Sequence, residues 1–548
     1  MSWSQGFINA LRKNASVFKY ELRFHDNPTG PGGSFSIFGG YGPEKSESND
    51  LMIGRNGPRI SGTSITAQSW AVAFGGFSVP IVGDVRKYFP AIMRGAFAAL
   101  YVEVDGFKER VAFGQLRTIT GSFGIYQFGF VDLVNALAVT ADATVDPSFA
   151  LERFRWFYRT GVKTTLSSHY TGGVATIRLT DASNCEKEFG ENGWIKIEST
   201  SNPTCYATWR SIAGNDLTGT TETQNQDVIY PGVNPIPSLS TTGTTTIIPI
   251  AMLQGKPWEI LGKLLISRSG TNTHAFDKYP TSWSAQGNLP EDIYDYNDAK
   301  RSENYIVGNS GTSASPTASD YKYMIPVEQP WGSGFRQFVD VAAGTGQWPV
   351  WRQDAVTWRG ARALNDPNII YDAEIHTSDI IEIVSHEIFD PQTPNVYSFL
   401  KIAYQERLSG TEYKTFGNTY ATSSNIIKTL PTLPALELDN KYVYESSDQV
   451  SADSDREAMA LGDIDRLLPW SNAPIEKTIL KLPLHYSTLC AGDFVQLVTQ
   501  AKFIHGYRDQ PGLKNIAKTA MVTSISYNFQ DASCTVTLSS HGYMGDQS

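Results

Sequence analysis

The stretch ALYVEVDGFKERVAFGQLRTITGSFGIYQFGFVDLVNAL, residues 99–137, decides how the chain is read. Tyr101 to Val104 has the residue types of a strand, Asp105-Gly106 follows, and a second strand runs through Val111. Asp-Gly predicts a two-residue hairpin turn, because both residues tolerate positive φ. Residues 131–137 are expected as a short helix. The preceding stretch, Ser64–Val85, is rich in strand formers and carries a Gly-Gly pair read as a turn.

The same grammar returns at the other end. In VTSISYNFQDASCTVTLSSHGY, residues 522–543, Ile525, Tyr527 and Phe529 alternate with Ser524, Ser526 and Asn528. After a turn over Gln530–Ser533, Cys534, Val536 and Leu538 alternate with Thr535 and Thr537. Period-two alternation predicts an antiparallel hairpin with one buried face. Upstream, Gly492-Asp493 turns into a strand at Phe494–Leu497.

Between these ends the pattern changes. Residues 155–245 read as a separate β module: Ala175, Ile177 and Leu179 share one face, as do Ile195 and Ile197. A Thr/Ser/Asn-rich stretch from about Ala213 to Thr246 is a long loop or linker by composition. Two helices follow. One starts at Pro257, where a first turn accommodates proline, carries Trp258, Leu261 and Leu265 at helical spacing, and stops at Gly270. The other carries Phe335, Phe338, Val339 and Ala342, with Gly344 as its stop.

The bulk numbers agree with a multidomain protein. At roughly 150 residues per domain, 548 residues suggest three or four. Apolar residues make up 41% and charged residues only 18%, below the usual quarter. The net charge is −10, with no Lys/Arg cluster. That argues against stable nucleic-acid binding, which needs a basic face, and permits transient passage of DNA. Four cysteines, Cys185, Cys205, Cys490 and Cys534, form no CxxC pair, so no zinc site is expected and free buried thiols are. No apolar segment is long enough to span a bilayer, and the N-terminus lacks a signal-peptide pattern, so a soluble protein made in the cytosol is expected.

A search for chemistry returns little. Gly311-Thr312-Ser313-Ala314-Ser315-Pro316 spells the nucleophile motif of a subtilisin-type protease. Such an enzyme needs Asp, then His, then Ser in chain order. The preceding histidines, His25, His169 and His274, lack the required context, so Ser313 is read as a loop residue. His376 and His386–Glu387 do not make HExxH. Asp453/Asp455 and Glu291/Asp292 have no EF-hand spacing, and no nucleotide-binding glycine motif is present. The expectation is no catalytic, cofactor-binding or metal residues, no cofactor and no enzyme.

Several stretches together resemble the tail hub, or baseplate hub, proteins of tailed bacteriophages. The most telling is residues 253–283, with Pro257, Leu264–Leu265, Gly270, Phe276–Asp277 and Pro280–Trp283 in the order such hubs show. GQWPVWRQDAVTWRG, residues 346–360, looks like the hub segment in which a strand pair closes on a polar turn. LKLPLHYSTLCAGDFVQL and AMVTSISYNFQDASCTVTLSS look like the last barrel of these proteins. The resemblance covers most of the chain loosely.

It implies an α+β, β-rich multidomain fold with two tail-tube-like β-barrel domains, an α-containing middle and an inserted small β module. The expected division is 1–150, first barrel-like domain; 155–245, insert and loop; 246–365, α-containing domain; 366–440, β-rich connection; 441–548, C-terminal barrel-like domain. It also implies a homotrimeric virion protein at the tail tip or baseplate. Its implied partners are the tail tube or distal tail protein, the tape-measure protein and tail fibre or tip proteins, with DNA passing through the lumen and no membrane insertion of its own. The alternative is a receptor- or carbohydrate-binding tail protein stacking sugars on Trp194, Trp209, Trp283, Trp331, Trp348 and Trp351. A fused cell-wall hydrolase would need a catalytic constellation that the sequence does not offer.

Overall fold

The computed structural model describes residues 3–13, 17–24, 35–41, 50–88, 95–138, 163–171, 176–183, 185, 193–202, 204–209, 211–219, 238–241, 245–266, 293–301, 322–327, 331–362, 370–387, 399–405, 413–419, 435–440, 443–444, 466–467, 470, 475–499 and 516–541. It is a β-rich α+β structure built around a closed seven-stranded barrel.

After helix α1 (Gln5–Leu11) come β1 (Phe18–Phe24), β2 (Phe35–Gly39), β3 (Met52–Ile53), β4 (Arg59–Ser61), a small hairpin of β5 (Ser64–Ile65) and β6 (Val72–Ala73), then β7 (Gly76–Val82), β8 (Phe97–Val104), β9 (Phe107–Ser122) and β10 (Ile125–Asp132). The barrel runs β10-β9-β8-β1-β2-β3-β7, and β10 pairs with β7 to close it. Alternation explains the closure: in β7 Phe77, Val79 and Ile81 are buried, while Ser78, Pro80 and Val82 face out.

The Asp-Gly turn forms as predicted. Val104 pairs with Phe107, and Asp105 and Gly106 both have positive φ, +50° and +83°. Helix α2 (Leu133–Ala138) follows, with the Asp132 carboxylate accepting from Asn135 N at 2.7 Å as its cap. The Gly75-Gly76 pair, expected as a turn, instead lets chains approach closely. A Cβ on Gly75 would lie 2.3 Å from Ser61 O, and one on Gly76 2.3 Å from Phe130 O.

The middle carries β11 (Thr164–Thr165), β12 (Thr176–Arg178), β13 (Gly193–Glu198), β14 (Cys205–Trp209), β15 (Ser211–Ala213), β16 (Asp216–Thr218) and β17 (Thr246–Gly255). Ile177, Leu179, Ile195 and Ile197 share one core with Trp209 and Leu217. The loop expected from Ala213 begins as the β15–β16 hairpin, turning at Gly214 with φ +63°; residues 220–237 of that stretch lie outside the described residues. Cys185 is a buried free thiol.

Helix α3 (Pro257–Ile266) starts at Pro257, as expected, and its Trp258 and Leu261 are buried; the Gly270 stop lies outside the described residues. Then come α4 (Tyr296–Arg301), β18 (Lys322–Val327), α5 (Trp331–Gly344) and the hairpin β19 (Gln347–Arg352) and β20 (Ala355–Gly360). Phe338, Val339 and Ala342 of α5 are buried. It ends at Gly344, as expected; just beyond, Gly346 has φ +67° and its N–H reaches Ala343 O at 2.7 Å, a left-handed glycine closing the helix end.

The remaining strands are β21 (Ala373–His376), β22 (Glu382–Glu387), β23 (Phe399–Gln405), β24 (Tyr413–Thr419), β25 (Ala435–Asn440), β26 (Val443–Tyr444), β27 (Ile475–Pro483), β28 (Phe494–Thr499), β29 (Ile516–Asn528) and β30 (Ser533–His541). β23, β24 and β25 make a small sheet of their own. β21 and β22 instead join the C-terminal strands in the order β21-β28-β29-β30-β27-β22. The predicted hairpin is β29–β30, and Ile525, Tyr527, Phe529, Cys534, Val536 and Leu538 are all buried.

One short strand unites the two halves. β4 pairs with β7 of the barrel on one side and with β29 on the other, so all fourteen strands form one continuous sheet. A single apolar cluster runs from Trp3 and Leu22 through Phe128 to Leu482, Phe529 and Val536.

Gly114→Ala tests the barrel's close packing. The added Cβ would stand 2.0 Å from Val131 O and 2.9 Å from Val131 C, both backbone atoms, so β9 and β10 must separate. We expect a loss of about 2–4 kcal/mol in urea unfolding; a loss below about 0.5 kcal/mol would contradict the packing described.

Candidate functional site: the junction between the two halves

The β19–β20 hairpin sits where the barrel, the C-terminal sheet and helix α4 meet. It carries Trp348, Trp351 and Trp358 together with Arg352 and Arg359, and every residue of β20 is buried. An arginine in such a strand must find a carboxylate, because a lone buried charge costs several kcal/mol or more.

The partners come from distant segments. Arg359 donates through Nε to Asp493 Oδ1 at 2.9 Å and through Nη2 reaches Asp298 Oδ2 at 2.8 Å. Arg352 Nη1 reaches Asp298 Oδ1 at 2.9 Å, and its Nε lies 3.6 Å from Asp493 Oδ2. Asp298 stands in α4 and also accepts from Thr357 Oγ1 at 2.9 Å. Asp493 follows a tight turn and accepts from Cys490 N at 2.9 Å. Beside them Arg362 Nη2 pairs with Asp372 Oδ2 at 3.1 Å, and the same oxygen accepts from Phe494 N at 2.9 Å. Gly492 is required in that turn: its φ is +99°, and a Cβ would press to 2.8 Å from Arg359 Cβ.

The electrostatics follow. Burial works to raise the Asp493 carboxyl, but the Arg352 and Arg359 guanidiniums outweigh it and hold it below the usual range. Asp298 is held down in the same way, against its burial, chiefly by Arg359 and Arg352. Burial, and then the neighbouring Asp493 charge, push Asp372 up. The Cys490 thiol is raised far above its ordinary value by burial, which makes it unreactive.

Aromatic packing closes the junction. Trp348 stacks on Trp70 at 6.0 Å between centroids, Trp70 meets Trp470 edge-on at 5.7 Å, and Phe338 stacks on Trp358 at 5.7 Å. Indole N–H groups tie these rings across the fold: Trp348 Nε1 to Ala491 O at 3.1 Å, Trp470 Nε1 to Arg362 O at 2.8 Å. The hairpin's polar turn grips the barrel. Trp3 N donates to Gln353 Oε1 at 2.9 Å, Arg110 donates to Asp354 O at 2.6 and 3.0 Å, and Trp351 Nε1 donates to Val111 O at 3.3 Å.

No protein-family profile matches this chain, and no curated protein is similar to it in sequence. Among solved structures it is similar to a tail protein from Neisseria meningitidis MC58 at 10% identity and TM-score 0.33, covering 95% of this chain and 96% of that one. It is similar to prophage tail protein gp18 from Listeria monocytogenes EGD-e at 7% identity and TM-score 0.34, covering 96% and 95%. A 43 kDa tail protein of prophage MuSo2 from Shewanella oneidensis gives 9% identity and TM-score 0.31, covering 95% and 98%. Scores of that size do not establish a shared fold.

Of the residues singled out from sequence, Trp348 and Trp351 lie in this junction. Ser313, His25, His274, Glu291, Asp292, Asp453 and Asp455 lie outside the described residues. His169 is exposed, with its Nδ1 taking Thr241 N at 3.3 Å. His376 lies 3.5 Å from Glu374, and His386 bonds Thr478 Oγ1 at 2.9 Å. Among the described residues no group of three His, Cys, Asp or Glu is placed to hold a metal ion. Trp194, Trp209, Trp348 and Trp351 are buried and offer no face to a sugar; Trp283 and the side chain of Trp331 lie outside the described residues. Sequence reading missed Arg352, Arg359, Asp298 and Asp493. The available signal was two arginines among the three tryptophans of one strand pair.

Asp493→Asn is expected to cost about 3–5 kcal/mol, because it leaves buried guanidinium charge uncompensated; urea unfolding against wild type checks this. A depressed folded pKa contributes stability above the ordinary value of 3.8, and that stability is lost as pH falls below it towards the folded value. Wild type should therefore lose stability below about pH 4 more steeply than D493N. Parallel pH profiles would refute the assignment.

Proposed function

We propose that the chain is a structural virion protein of a tailed bacteriophage: a homotrimeric hub at the tail tip or baseplate. In this reading it joins the tail tube to distal tail parts, closes the tube end around the tape-measure protein and opens for DNA. The observation that carries it is the rigid union of two β bodies, through the shared strand β4 and the buried Arg359–Asp493–Asp298 junction. Such a unit suits one arc of a ring, two bodies per subunit and six per trimer. The paired carboxylates at the junction serve to clamp segments together, not to turn over a substrate. The described parts of the hub-like stretches form α3, the β19–β20 hairpin and the β27–β30 strands, which fits the same reading, while residues 267–283 of the first stretch lie outside the described residues. The net charge of −10 suits a lumen through which a polyanion passes without sticking.

The test is to delete the gene from a phage that encodes this chain, and to label the chain in intact particles. The expected result is particles that fail to complete tails, with label at the end of the tail distal to the head. Complete, infectious tails without the chain would overturn the proposal.

A further inference from the structure

The β5–β6 hairpin stands apart from the sheet around it. It lies between β4 and β7 in the chain, yet among the described strands β5 and β6 pair only with each other. A two-stranded hairpin alone is marginally stable in water. Ala67, Gln68 and Trp70 are buried, while Ser69, Ala71 and Ala73 face solvent. The tip reaches into the junction: Trp70 lies against Trp348 and Trp470, and Gln68 Nε2 donates to Trp470 O at 3.2 Å.

Docking the tip has costs. Gln68 and Trp70 sit in the left-handed region, with φ +69° and +54°, which a bulky side chain enters only under strain. Trp70 Nε1 and Thr63 Oγ1 are buried and have no hydrogen-bond partner among the described residues. Each forfeits the water it would bind if released. Aromatic packing against Trp348 and Trp470 offsets these costs.

The base of the hairpin is held by a carboxyl group without a counterion. Asp132 is 5% exposed; its Oδ2 accepts from Gly75 N at 3.0 Å and its Oδ1 from Asn135 N at 2.7 Å. Among the described residues no charged group acts on it. α2 and β7 contain no titratable residue. On β9, Gly114 lies opposite Asp132, Arg110 is turned to Asp354 O, and Arg117 is three residues further on. Arg59 of β4 is exposed. Arg336 and Asp340 of α5 pair with each other at 2.9 Å, and Arg352 of β19 is committed to Asp298. Burial therefore pushes the Asp132 carboxyl up to about 7, against the backbone N–H groups of Asn135, Gly75 and Val134 that favour its charged form.

We propose that residues 63–75 form a strained clip that lifts from the junction while the sheet on either side stays closed, and that ionisation of Asp132 sets how often it lifts. Gly62, whose N–H reaches Ile525 O at 2.8 Å, and Gly76, paired with Val131, are its fixed ends. Lifting uncovers the indoles of Trp348 and Trp470, breaks the Gly75–Asp132 bond and wets the carboxylate, so the charged form favours the lifted state. A carboxyl raised in the folded state contributes stability that is present below the ordinary value of 3.8 and lost as pH rises through about 7. Acid closes the clip and mild alkali opens it. The junction carboxylates Asp493 and Asp298 have the opposite sign, their stability being lost in acid. This inference goes beyond the hub reading and stands or falls on the isolated chain.

Thiol labelling of the full-length protein tests it. Ala67→Cys places a thiol on the buried side of the clip, and Ala520→Cys, at a buried position of β29, is the sheet control. Wild type gives the background from the native cysteines, and each rate is divided by that of the unfolded chain at the same pH. The Ala67→Cys thiol should react about tenfold faster than the Ala520→Cys thiol, or more. Its relative rate should rise about tenfold or more between about pH 5.5 and about pH 8.5. Adding Asp132→Asn, which keeps the helix cap, should flatten that rise. Hydrogen exchange at the bonded Trp70 and Gly75 amides reads the same opening in the unaltered chain. Equal rates at the two thiols would show that the clip opens only with the whole fold, and a pH rise that survives Asp132→Asn would remove Asp132 from it; either result would overturn the proposal.

Discussion

Arg359 is held between two carboxylates that lie far from it in sequence, Asp298 and Asp493, and much of the architecture follows from that constraint. A guanidinium at the centre of a tryptophan-rich hairpin is tolerable only when its charge is matched and its donors are used. The match requires three segments to arrive together: helix α4, the β19–β20 hairpin and the turn before β28. Each is then fixed to within hydrogen-bond distance of the others. Buried ion pairs contribute little net stability compared with apolar packing of the same volume. What this one supplies is position, because no shift of the hairpin by one residue keeps both arginines facing both aspartates.

Position at the junction propagates outward. The hairpin's turn is bonded to Arg110 and Val111 of β9, and Tyr527 of β29 also donates to Val111 O at 3.4 Å. The same short reach of β9 is therefore gripped from the middle of the chain and from its C-terminal part. β4 adds backbone pairing between the halves, and Phe529 fills the space against Phe18 and Tyr20 at 5.6 and 6.3 Å. With one core and one sheet, the halves have no hinge of exposed linker between them at these contacts.

The parts of this fold that were legible in the sequence are those specified locally. Asp105-Gly106 and the alternation after Val522 each encode a hairpin within a dozen residues, and Pro257 marks a helix start by its own stereochemistry. The parts that were not legible depend on partners remote in sequence. Nothing near Gly75-Gly76 distinguishes a turn from a place where Ser61 and Phe130 crowd the backbone. Asp493 reads as an ordinary turn aspartate until Arg352 and Arg359 are seen beside it.

The two tight hairpin turns of the barrel make a controlled comparison. Asp105-Gly106 and Phe123-Gly124 adopt the same pair of positive φ angles in hairpins that share β9. The first uses the residue that the turn chemistry favours; the second replaces it with an aromatic that gains nothing from the folded chain, since its ring touches solvent alone. Local rules agree with the global fold almost everywhere else in this barrel, and a position that breaks them without a compensating contact is where a selective demand beyond folding is expected. The same hairpin has lost its charges over the whole span from Thr118 to Val131, which removes the usual protection against association. Strain, exposure and missing charge coincide at one end of the barrel and not at the other. The chain is therefore asymmetric in what it presents: a junction specified by buried charge holds the halves together, and an uncharged hairpin ends in an exposed aromatic.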